Sequence, residues 1–100
     1  MNFSDFQTED RRLCLLLALA QATGYKSNHI LLHSFLDSVG HSVSHDQVKT
    51  DLQWLNEQGL LTSTTVVDVF IPTITQRGQD VARGFAHVPG VKRPMPGGSL

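Results

Sequence analysis

Cysteine is nearly absent from this sequence. Cys14 is the single example, so no internal disulfide can form and no Cys-pair zinc site can be built. Charge is sparse and almost balanced: eight Lys and Arg against nine Asp and Glu leave a formal net charge of −1. No bulk basic field draws such a chain to nucleic acid or to an anionic membrane. Long hydrophobic runs are also missing. The longest unbroken apolar stretch, residues 13–20, is far too short to cross a bilayer. The opening MNFSDFQTEDRR is acidic where a signal peptide needs a basic and then an apolar run. A soluble, cytoplasmic protein without membrane contact is expected. Catalytic signatures are missing as well: there is no G-x-S-x-G elbow, P-loop or HExxH. Neither an enzyme nor a cofactor is expected.

What is present is organised around residues 44–62, SHDQVKTDLQWLNEQGLLT. Ser44 can cap a helix start, its hydroxyl accepting from an early backbone N–H. Val48, Leu52 and Leu55 recur at spacings of four and three, one helical face. Gly59 supplies the left-handed residue that ends a helix, and Leu60 and Leu61 begin an extended run behind it. A capped helix, a Gly stop and an immediate strand is how a winged helix-turn-helix presents its groove-reading helix.

The 100 residues, 40% of them hydrophobic, fit one small domain. A first helix is expected from about residue 5 to 22, capped by Ser4 or Asp5. Phe6, Leu13, Leu16, Leu17 and Ala20 line one face, while Cys14, Leu15, Ala18, Leu19 and Ala22 cover the other. A helix apolar all round is buried all round. Two accounts stand open: a central helix wrapped by the rest of the chain, or a homodimer contact through Leu15 and Leu19. A second helix follows a break at Gly24 and Tyr25, capped by Ser27 or Asn28 and running to about Ser38. The turn 40–43 to the next helix is short, as in a helix-turn-helix.

Residues 61–66 and 69–74 are β-branched and aromatic and should be two strands. No Asn-Gly or Asp-Gly marks the turn at 67–68, so the register is open. Pro72 lacks an N–H and needs an edge or a strand end. Thr75 should cap a last helix over 76–86, with Val81, Ala82 and Phe85 inward. The stretch 88–100 is rich in Pro and Gly and reads as a flexible tail behind a domain spanning 1–87.

The segment DLQWLNEQGLLTSTT resembles the core of MarR- and ArsR-like winged-helix regulators, and ITQRGQDVA resembles the entry into the helix after their wing. With the tail VPGVKRPMPG, the whole chain is similar to a family of short winged-helix proteins of Mu-like tailed phages and prophages. The resemblance implies an α+β, mostly helical winged helix-turn-helix: three helices, a two-stranded β-wing and a C-terminal helix. It also implies a small phage-type DNA-binding regulatory or accessory protein. Winged helices equally serve as protein-interaction modules, here with a phage or host protein as partner. The paired-cysteine motif of the ArsR metal sensors has no counterpart, so metal sensing does not carry over.

On double-stranded DNA, Lys49 could reach a phosphate and Thr50 or Gln53 a base edge, with Arg77, Lys92 and Arg93 holding the backbone. Charge argues the other way. Residues 44–58 hold Asp46, Asp51 and Glu57 against Lys49, a net −2, and DNA affinity rests mainly on neutralised phosphates. Trp54 points away from the apolar stripe; it either packs beneath the wing strands or anchors a protein partner. His29 and His33 are four apart, as are His41 and His45, a spacing at which two histidines can share zinc. A closed site needs four ligands and none obviously completes either pair, so no metal is expected and both pairs read as ordinary, partly exposed histidines.

Overall fold

A computed structural model describes residues 2–96. Helix α1, Phe3–Gln21, starts earlier than the sequence suggests. Asn2 is its cap: the Asn2 side chain accepts from the Asp5 N–H at 3.0 Å, and the Asp5 carboxylate accepts from the Asn2 N–H at 3.4 Å. This reciprocal pair is a capping box, and the Asp5 N–H is shared with the Asn2 carbonyl at 3.1 Å. Helix α2, His29–Ser38, is capped by Asn28, and α3, His45–Glu57, by Ser44. Strands β1, Leu61–Val66, and β2, Val69–Ile74, pair antiparallel, with Leu61 opposite Ile74 and Val66 opposite Val69. Helix α4 covers Gln76–Arg83. The protein is α+β and mostly helical: four α-helices and one two-stranded antiparallel sheet among the described residues.

Helix α1 is the centre, touching α2, α3, α4 and β2. Leu15, Leu16 and Leu19 are fully buried, packed with Leu36 of α2, Leu52 and Leu55 of α3, and Leu60. The wrapped-helix account is therefore the one realised. Leu15 and Leu19 cannot form a dimer surface, because their own chain already covers them completely.

The hairpin turn is unusual. Val67 (φ 48°) and Asp68 (φ 64°) both take positive φ, the pattern of a type I′ turn, with a β-branched residue where Asn or Gly is favoured. The missing turn signature is thus a real local strain rather than a different register. Pro72 sits inside β2 opposite Ser63. Its carbonyl accepts the Ser27 N–H at 3.1 Å on the side away from β1. Its missing N–H lies on that same side, so no ladder bond to β1 is lost.

Two expectations at the C-terminal end are corrected. Helix α4 stops at Arg83 rather than near residue 86. Gly84 takes φ 85°, and the Phe85 N–H bonds back to the Asp80 carbonyl at 2.8 Å, closing a Schellman-type end. Phe85 is consequently turned outward, 80% exposed, not inward. The flexible tail expected from residue 88 is also not what 88–92 does. Val88 and Val91 are core residues at 4% and 1% exposure, and the Lys92 N–H bonds the Glu9 carbonyl at 3.2 Å. Gly90 makes the close approach, since a Cβ there would lie 2.8 Å from the Trp54 ring. Pro and Gly set this segment's turns, while two valines supply its anchorage. Residues 97–100 lie outside the described residues.

Candidate nucleic-acid interface

Helix α3 buries Val48, Leu52 and Leu55 and leaves its other side unpacked. On that side Asp46, Thr50, Gln53 and Glu57 are exposed and Lys49 is half-buried. Lys49, Thr50, Gln53 and Glu57 share an open depression of about 440 Å³ with Trp54 and with Phe70 of β2. Polar donors and acceptors thus stand beside the hairpin on one surface.

The other sequence-predicted DNA residues are not gathered there. Arg77 is exposed, but its Nη1 donates to the Gln58 carbonyl at 2.7 Å, holding the C-terminal end of α3. Lys92 Nζ pairs with Asp10 Oδ1 at 3.2 Å, on a different depression lined by Phe3, Phe6 and His41. Arg93 is exposed. The contacts of the Trp54 ring come from elsewhere than the wing: the Arg12 guanidinium lies 3.8 Å from its ring centroid, and Arg12 Nη1 donates to the Gly90 carbonyl at 3.0 Å. The ring is clamped between α1 and the 88–92 segment, with part of it left on the α3 surface.

Sequence reasoning missed the feature that changes the charge of that surface. Asp51 is 2% exposed and forms a buried ion pair with Arg11 of α1. Arg11 donates through Nε and, at 3.3 Å, through Nη2, while Gln47 Nε2 donates at 3.1 Å. One of the three acids counted on α3 is therefore inside the protein and neutralised. The outward face keeps only Asp46 and Glu57 against Lys49. The signal was available: Asp51 lies three residues after Val48 and four before Leu55, within the apolar stripe.

The histidines regroup across the predicted pairs. His29 is buried rather than partly exposed, and its Nδ1 accepts the Phe70 N–H at 3.0 Å, tying α2 to the hairpin. Burial holds its imidazole below the ordinary value, with Lys49 and His45 adding to the effect. His33 Nε2 bonds the Val43 carbonyl at 2.7 Å. His45 stacks on His33 with ring centroids 3.9 Å apart and meets His29 edge-on at 5.9 Å. Three imidazoles thus line the entry to α3 next to Lys49. His41 is separate, bonded through Nε2 to Asp10 Oδ2 at 2.7 Å. Partial burial would raise the Asp10 carboxyl, but the bonds from His41 and Lys92 outweigh it and hold the group below its ordinary value. Nearby, burial and the Asp10 charge push the Cys14 thiol up to about 11. No helix among the described residues is long and apolar enough to cross a membrane.

Comparison with known proteins finds relatives that span most of the chain. The uncharacterized protein gp26 of Escherichia phage Mu is 45% identical over 93 residues, 93% of this chain and 96% of that one. An uncharacterized protein of Haemophilus influenzae is 44% identical over 78 residues, 77% of this chain and 76% of that one. No family model matches. No solved structure matches.

Proposed function

The chain belongs to the family of the phage Mu protein gp26, and from that premise we propose that it is a small winged-helix protein of phage type that binds double-stranded DNA as a regulatory or accessory factor. Helices α2 and α3 form the helix-turn-helix, and β1 and β2 form the wing. Helix α3 enters the major groove, as the motif docks. Lys49 contacts a phosphate, and Thr50 and Gln53 face base edges. The observation that carries the reading is the unpacked polar face of α3 beside the hairpin, cleared of one acid by the Arg11–Asp51 pair. Cations remain few, so affinity is low per chain and increases when two copies bind together. Arg77, already holding the end of α3, meets the backbone from the helix terminus. Selection from a random duplex pool at low salt tests the reading; recovery of no duplex contradicts it.

A second reading has its own support. Phe3 and Phe6 are 74% and 58% exposed and, with Val39, border a depression of about 330 Å³. Exposed aromatic groups beside a pocket suit a protein-interaction module with a phage or host partner. Substituting Phe3 and Phe6 by Ser leaves DNA binding intact under the first reading and removes partner capture under the second.

A further inference from the structure

We infer that Asp10, Cys14 and His41 form an open, three-ligand site for a divalent transition metal of the zinc class. Helix α1 places Asp10 and Cys14 four residues apart, neighbours on one face. The turn after α2 carries the third group over them, with the His41 N–H fixed to the Leu36 carbonyl at 2.8 Å. Two different donors converge on one carboxylate oxygen: His41 Nε2 lies 2.7 Å and Cys14 Sγ 3.8 Å from Asp10 Oδ2. All three ligand atoms lie within 4.8 Å of one another, and no other group of three such residues converges this way among the described residues.

Around a tetrahedral zinc ion with ligand bonds of about 2.0–2.3 Å, donor atoms stand roughly 3.3–3.8 Å apart. The Cys14–Asp10 separation already fits that spacing. The His41–Asp10 contact needs to open by roughly half an ångström to pass from hydrogen bond to shared ligation. On binding, Cys14 loses its thiol proton to solvent and His41 clears Nε2 of the proton it gives to Asp10; the resulting thiolate, imidazole and carboxylate form a mixed set suited to zinc or cobalt, not to the oxygen-only preference of calcium or magnesium. The second carboxylate oxygen is held by Lys92, the kind of outer contact that orients a ligating carboxylate. Cys14 and His41 are 4% and 9% exposed, so the donors are set rather than floating. Asp10 and His41 also line the depression that Phe3 and Phe6 border. A fourth position is therefore open to solvent. This is not the closed four-ligand arrangement of a zinc ion that holds a fold together. Histidine spacing could not reveal the site, because its three residue types come from two elements.

The test is cobalt titration of the full chain after chelator treatment, followed by absorption. The expected result is a sulfur-to-cobalt charge-transfer band that saturates at one ion per chain and is displaced by zinc. Cys14→Ser removes the band. His41→Gln and Asp10→Asn weaken binding about tenfold or more, with helical circular dichroism unchanged. His33→Gln, in the separate histidine group, leaves binding as it was. If Cys14→Ser does not fold, Asp10→Asn decides the matter, since that side chain is partly exposed. Zinc should raise the melting temperature of the unaltered chain and not that of Asp10→Asn. Absence of the charge-transfer band at saturating cobalt overturns the site. So does metal binding that survives Asp10→Asn and His41→Gln and is lost in His33→Gln.

Discussion

Replacing Asp51 by Asn removes one charge without changing the shape of the side chain. The carboxylate it replaces accepts from Arg11 and Gln47 at 2% exposure, and the Arg11 side chain is 8% exposed. An amide offers its own donors to the guanidinium, so Arg11 is left as a buried cation without a counter-charge. Breaking a buried pair in this way costs about 3–5 kcal/mol. The total stability of a domain this size is about 5–15 kcal/mol, so the loss is a large share of it. With a urea slope near 2 kcal/mol/M, the midpoint should fall by roughly 2 M with the slope unchanged. The paired replacement Arg11→Met with Asp51→Val removes both charges and should recover to within about 1 kcal/mol of the parent. Urea unfolding followed by circular dichroism measures both. A cost for Asp51→Asn below about 1 kcal/mol would refute the buried pair and return Asp51 to the outward face of α3.

Two further variants probe the hairpin and its junction with α4. Val67→Asn with Asp68→Gly relieves two positive-φ residues in the turn and should raise stability by about 1–2 kcal/mol, read by thermal melting. Gly78→Ala should lower it by about 1–3 kcal/mol despite the better helix former, because the new Cβ would lie 2.0 Å from the Leu60 carbonyl oxygen. Unchanged melting in either variant contradicts the local geometry.

The order of elements was legible because its punctuation is local. Ser44 and Thr75 cap the helices they were expected to cap, Gly59 separates α3 from β1, and the β-branched run gives both strands. What escaped depended on pairs far apart in the chain. Arg11 meets Asp51 across 40 positions, and Lys92 meets Asp10 across 82. The 88–92 segment looked unstructured from its Pro and Gly content. Its two valines are too few for a periodic signal, yet they fill a gap beside α1. The same limit hid the Asp10, Cys14 and His41 cluster. On the α3 surface the sequence put Lys49, Thr50 and Gln53 on the side that the fold leaves unpacked, but it overcounted the acids, since a wheel position alone does not say that a carboxylate has found a buried partner.

The central proposal is that the outward face of α3 meets DNA, and fluorescence anisotropy of a labelled duplex at several salt concentrations tests it most directly. The unaltered protein should bind at low salt with a shallow logarithmic salt slope, about 0.9 for each phosphate contacted. Lys49→Ala should weaken every duplex alike and reduce that slope by about one contact, while Gln53→Ala should change the order of preference among duplexes. Asp46→Asn with Glu57→Gln should tighten binding, because both acids face the phosphates in the docked arrangement. No binding of any duplex at low salt, or affinities indifferent to Lys49→Ala and to the neutralised acids, would contradict the proposal and leave the exposed Phe3 and Phe6 surface as the functional one.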